Sequence, residues 1–117
     1  MVVNHKQGDI YYAKLPGAKG SVQGGCRPVI IMQNNIGNRH SPTVTVVPLT
    51  SKVKRMEMPT HFCVKPTFYN HLNATSVALG EQITTISVAN LNKKVGSLTN
   101  EELKQVQSAV LAQIQIS

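Results

Sequence analysis

The stretch Arg27-Pro-Val-Ile-Ile-Met32 leaves this chain few ways to fold. Val29 to Met32 is a solid apolar run with β-branched residues, as in a strand buried on both faces. Pro28 fixes φ where that strand begins and removes a donor the sheet does not need there. The residues before it, Gly20 to Cys26, form a loop of small side chains with two adjacent glycines. Such a loop lets a ligand's backbone approach closely. Arg27 is thus a permanent cation at the mouth of a rigid strand. It either pairs with a carboxylate or awaits an anion such as phosphate.

At 117 residues the chain is expected to be one domain, 1–117, large enough to bury a core. Twelve Lys and Arg against five Asp and Glu give a net charge of +7, which favours a polyanionic partner such as nucleic acid. The alternative is that the charge only maintains solubility. Two Phe, three Tyr and no Trp argue against a sheet that stacks base after base on aromatic rings. Cys26 and Cys63 have neither metal-site spacing nor a disulfide framework, so no metal or cofactor is expected. Free thiols, the lack of an apolar leader and the lack of a run approaching ~20 apolar residues point to the cytoplasm, without membrane association.

Asp9 to Leu15 reads as a first strand, Lys14 to Cys26 as a long loop, and Arg27 to Gln33 as a second strand. Asn34 to Pro42 is rich in turn-formers. Thr43 to Thr50 alternates, with Val44 and Val46 on one face, until Pro48 signals an edge or a bulge. Further strands are expected over Glu57 to Val64, Ser76 to Leu79 and Gln82 to Ile86, with one helical turn within Pro66 to Asn73. Thr99 and Glu102 make a capping box for a final helix, whose apolar stripe is Leu103, Val106, Val110 and Ile114 with Ala109 beside it. The expected architecture is mainly β with a C-terminal helix: a small, strongly curved antiparallel sheet or barrel.

Gln7-Gly-Asp-Ile-Tyr11, the loop Gly20-Ser-Val-Gln-Gly-Gly-Cys-Arg-Pro28, Val29 to Asn38, Val47-Pro-Leu-Thr50 and Glu81-Gln-Ile-Thr-Thr-Ile86 occur in the order found in MazF/PemK-type toxins. The chain resembles that family over nearly its whole length, and its Gram-positive members most. The resemblance implies an SH3-like barrel acting as a homodimer. It implies an endoribonuclease of a type II toxin–antitoxin pair that cuts single-stranded RNA at a short sequence without a metal. Products would end in 2′,3′-cyclic phosphate and 5′-hydroxyl. A cognate antitoxin would lay a disordered segment over the RNA groove.

By the same resemblance Arg27 and Thr50 match the catalytic arginine and threonine. Glu81 stands where some members place a functional acid, or else holds Arg27 structurally. Ser21, Gln23, Gln33, Asn34, Asn38, Lys52, Lys54 and Gln82 are the expected RNA contacts; the alternatives are that Ser21 and Gln23 merely shape the loop and that Lys52 and Lys54, next to Thr50, are a solvated basic edge. Two departures stand out: many members have Glu at the position of Val22 and Arg at that of Thr84. Both changes are expected to alter the recognised sequence or the rate. His5, His40, His61 and His71 show no telling spacing and read as surface or RNA-contacting groups. The competing classes are a catalytically silent RNA-binding barrel and a gyrase poison resembling CcdB. The latter type ends in a Trp-containing tail, whereas this chain ends Gln115-Ile116-Ser117.

Overall fold

A computed structural model describes residues 4–17, 20, 22–52 and 57–117. Seven strands form one sheet: β1 (Asp9–Leu15), β2 (Gly25–Ile31), β3 (Thr43–Thr50), β4 (His61–Val64), β5 (Ser76–Leu79), β6 (Thr84–Ser87) and β7 (Leu91–Ser97). Two helices accompany it, α1 (Asn35–His40) and α2 (Asn100–Ile114). The strand order is β4-β5-β3-β2-β1-β7, with β6 pairing β3 off this path. Every pairing is antiparallel. The architecture is the mainly β one expected, with its C-terminal helix. Its two end strands, β4 and β7, do not pair with one another, so the sheet curves without closing into a barrel.

The run at Val29 serves both sides of the sheet, as its composition requires. Val29 and Ile31 pack with Val44, Val46, Tyr11 and Leu91 in one core cluster. Ile30, between them, packs with Val47, Leu49, Ala78 and Val106 in a second. Alternating side chains point to opposite faces, so one strand feeds two cores. α2 covers the second face through Val106 and Ala109. Its capping box forms as expected: Glu102 N–H donates to Thr99 Oγ1 at 3.2 Å, and Thr99 N–H donates to Glu102 Oε1 at 2.9 Å. The expected stripe runs out before its end, because Ile114 is exposed.

Pro48 lies within an interior strand, not at an edge. β3 pairs with β2 on one side and with β6 and then β5 on the other. The β6 pairing ends at Val46↔Thr84, and the β5 pairing begins at Leu49↔Ala78. Thr45 donates to the Gln33 side chain and accepts from the Gln33 N–H, so odd-numbered residues of β3 turn their backbone groups toward β2. Pro48 therefore turns its donorless nitrogen toward the gap where β6 hands over to β5.

Three other expectations are corrected. Asn34 to Pro42 is not a plain turn but contains α1, with Asn34 as N-cap accepting from Gly37 N–H at 2.9 Å. The same short polar residues serve helix caps and turns, which hides a helix of six residues. The strand expected from Glu57 begins only at His61, at the sheet edge that Pro59 signalled. The strand expected over Gln82 to Ile86 begins only at Thr84, because Gly80–Gln82 forms a 3-10 turn. The single helical turn expected within Pro66 to Asn73 is present, His71 N–H donating to the Thr67 carbonyl at 3.2 Å. β7 was not foreseen.

Asp9 ties the outer strands together. Its carboxylate accepts from Lys6 N–H at 2.9 Å and Ser97 hydroxyl at 3.1 Å, and it lies 3.4 Å from the Lys94 ammonium. Burial, and secondly the Asp9 charge, push the Tyr11 phenol above its ordinary 10.0. The neutral phenol is thus favoured by the fold. Its contribution to stability is fully present below pH 10.0 and is lost as pH rises through the higher native value. Urea midpoints followed from neutral pH to about pH 11 should fall, and fall less in Tyr11→Phe.

Candidate active site

A cleft of about 890 Å³ opens where β2, β3, β4 and β5 meet the loop before β2. Arg27 and Thr50 both line it. The register explains why. β2 and β3 pair through Ile31↔Val46, Ile30↔Val47 and Val29↔Pro48. Arg27 and Thr50 both lie two residues beyond the last of these pairs, at the same end of the β2–β3 ladder. A guanidinium and a hydroxyl far apart in sequence are thus brought to one cleft.

Both side chains are held by short local bonds. Arg27 Nε donates to the Gly24 carbonyl at 3.1 Å, leaving its Nη amino groups as donors. Among the described residues, no carboxylate pairs with it. Its expected structural partner, Glu81, bonds elsewhere: Glu81 Oε2 lies 3.0 Å from His61 Nε2. Thr50 is 9% exposed, and its Oγ1 accepts from Lys52 N–H at 3.2 Å. With that lone pair occupied, the hydroxyl proton is available to donate outward. The two side chains offer donors to one cleft, with no carboxylate paired to Arg27 among the described residues, which suits an oxyanion or phosphate.

The other expected contacts divide into two groups. Gln23, Lys52 and Gln82 line the cleft with Arg27. Gln23 N–H also donates to Gln82 Oε1 at 2.8 Å, which ties the glycine-rich loop to the 3-10 turn Gly80–Gln82. Gln33, Asn34 and Asn38 do not line it. Gln33 Oε1 accepts from Thr45 N–H, Asn34 caps α1, and Asn38 is buried with its Nδ2 donating to the Gln33 carbonyl at 2.9 Å. Ser21 and Lys54 fall outside the described residues.

Glu81 lines an adjoining cavity of about 240 Å³ together with Val22 and Thr84. Val22 borders both spaces. His61 and His71, read from the sequence as surface or RNA-contacting groups, also line the large cleft. Their positions follow from the β4–β5 hairpin and the loop between those strands, and no local spacing announces them. Among the described residues no three His, Cys, Asp or Glu side chains gather as metal ligands. No helix among them is long and apolar enough to cross a membrane.

Residues 6–114 match the profile of the PemK-like, MazF-like toxins of type II toxin–antitoxin systems. Endoribonuclease MazF of Staphylococcus saprophyticus is 40% identical over 105 residues, covering 90% of this chain and 87% of its own. The Mycobacterium tuberculosis toxin MazF-mt6 superposes with a TM-score of 0.76 at 26% identity, covering 93% of this chain and 98% of that one. A mycobacterial endoribonuclease in complex with its cognate antitoxin shares the fold, with a TM-score of 0.78 at 24% identity over 97% of each chain. The order of motifs, the curved sheet with its helix, and these likenesses agree, and the chain belongs to the PemK-like, MazF-like toxin family of type II toxin–antitoxin systems.

Proposed function

We propose that the chain is the toxin of such a pair: an endoribonuclease that cuts single-stranded RNA at a short sequence, as a homodimer, in the cytoplasm. The observation that supports this reading is that Arg27 and Thr50, at the same end of the β2–β3 ladder, line one cleft. The 40% identity to an endoribonuclease supports it, and so does the net charge of +7.

The chemistry follows from the two donors. The RNA 2′-oxygen attacks the adjacent phosphorus in line while the bond to the 5′-oxygen breaks. The 2′ proton leaves with a base, and the departing 5′-oxygen takes up a proton. Arg27 spans the non-bridging oxygens with a fork of donors, where negative charge accumulates. Thr50 adds one hydroxyl donor to the same charge. Arginine stays protonated at neutral pH, so Arg27 acts as clamp and as proton donor to the leaving oxygen, not as base. No metal is required by this scheme. The products are a 2′,3′-cyclic phosphate and a 5′-hydroxyl. A cognate antitoxin inhibits by covering the cleft, in keeping with the relative crystallised with its own antitoxin.

Incubation of the protein with a long RNA in excess EDTA tests this. The expected result is discrete fragments with cyclic phosphate ends. Binding without cleavage would mark a silent RNA-binding protein and overturn the proposal.

A further inference from the structure

Beside the cleft, a second surface has a role the reaction does not use. Phe68 is 84% exposed and Tyr69 is 67% exposed. Together they account for two of the five Phe and Tyr in the chain. Phe68 makes edge contacts with both Tyr69 and His71, at ring-centroid distances of 5.8 and 6.2 Å. A soluble protein that spends its few aromatic rings in water gains nothing from burying them.

The loop that carries these rings is rigidly built. Asn70 is 0% exposed, and its side chain accepts from Thr67 and Leu72 N–H and donates to the Lys65 carbonyl. Ser97 N–H donates to the Tyr69 carbonyl at 3.0 Å, which fastens the loop to β7. Gly96 makes that approach possible, since a Cβ there would lie 2.5 Å from the same carbonyl oxygen. His71 is held at φ 54, and its Nδ1 lies 2.9 Å from the Val95 carbonyl. It is the one non-glycine residue at positive φ among the described residues, a costly conformation for a side-chain-bearing residue. His71, Leu72 and Asn73 also line the cleft that holds Arg27 and Thr50. The exposed rings and the reactive pair thus share one continuous surface.

We infer that Phe68, Tyr69 and His71 form a stacking platform for an unpaired RNA base flanking the cut phosphodiester. This rests on the endoribonuclease reading above and adds to it where the flanking nucleotide is held. Rigid exposed rings bordering a basic groove are what single-stranded nucleic acid binds, because every base offers a π-face. The contact would position the strand and would discriminate weakly among bases.

The test uses the full chain with Phe68→Ala, Tyr69→Ala and Phe68→Trp. An uncleavable RNA with 2′-O-methyl groups, spanning a cut site mapped with the wild-type protein, carries 2-aminopurine at successive positions beside the cut. Each alanine variant should bind it about five- to hundredfold more weakly. The KM for the cleavable RNA should rise while kcat changes little, and one 2-aminopurine should lose its stacking quench. Phe68→Trp should restore all three. Unchanged RNA binding by folded alanine variants would overturn the platform while leaving the nuclease intact. So would alanine variants that instead weaken self-association in sedimentation, since the rings would then face a second copy of the chain. Failure of the wild-type protein both to bind and to cut RNA would sink the nuclease reading first.

Discussion

Replacing Arg27 with alanine is expected to lower the rate of RNA cleavage by at least about a hundredfold, while the melting temperature falls by no more than about 5 °C. One preorganised donor aimed at developing charge is commonly worth ~2.7–4 kcal/mol, or about 10²–10³ in rate. Arg27 supplies a charged fork of such donors, so the loss should reach the upper part of that range. The structural cost is small by comparison. Alanine removes one bond, from Nε to the Gly24 carbonyl, worth about 1 kcal/mol. It strands no carboxylate among the described residues, because Glu81 bonds His61. Arg27→Lys should recover little, since a point charge cannot span two oxygens as a planar fork does. Initial rates on a long RNA, read beside thermal melts, separate the two effects. Near wild-type cleavage by Arg27→Ala would place the phosphate clamp elsewhere.

Gly80→Ala is expected to be the most damaging small change to the fold itself. Gly80 sits where β5 passes into its 3-10 turn, beneath α2. A Cβ built there would lie 2.7 Å from the Thr60 carbonyl oxygen, and 2.8 and 2.9 Å from the Ala109 carbonyl carbon and oxygen. All three are backbone atoms, so no flexible side chain can give way. Gly80 N–H also donates to the Thr60 carbonyl at 2.8 Å, which pins the contact. Either the helix lifts from the sheet or that bond is lost. Overpacking of this kind costs about 1–3 kcal/mol, which in a domain of this size lowers Tm by roughly 5–15 °C. Gly17→Ala is the matched control, since a Cβ there meets nothing within 4 Å. Equal Tm values for the two variants would contradict the packing described.

The parts of the fold that could be read from the residues are those set by local chemistry. Asp9–Leu15 and Ser76–Leu79 are strands as their patterns indicate, and Thr99 with Glu102 marks the start of α2. The unbroken run at Val29 to Ile31 reports burial on two faces, and both cores contain it. Where nonlocal pairing decides, the residues are ambiguous. Pro48 signals an irregularity but not that β3 changes neighbours there. Ile114 continues a helical stripe past the point where anything packs on it.

The candidate site divides in the same way. Arg27 and Thr50 are recognisable by resemblance, but their meeting at one cleft depends on a β2–β3 pairing that no spacing reveals. Nor does a separation of 20 residues mark His61 as the partner of Glu81. Gln33, Asn34 and Asn38 looked like groove contacts because amides suit RNA, yet the structure turns their polar atoms to holding α1 and β3 in place.

Every residue of β3 has a strand partner on at least one side: β2 along Val46 to Pro48 on one, and β6 along Thr43 to Val46, then β5 at Leu49 and Thr50, on the other. A segment so enclosed has no way to fray by itself and opens only when the whole molecule does. The amides of Val44 to Val47 and of Leu49 should therefore be among the slowest to exchange with solvent deuterium. Thr50, at the end of that segment, inherits its stillness. An enzyme that does its work by aiming fixed dipoles has reason to mount them on the part of itself that yields last.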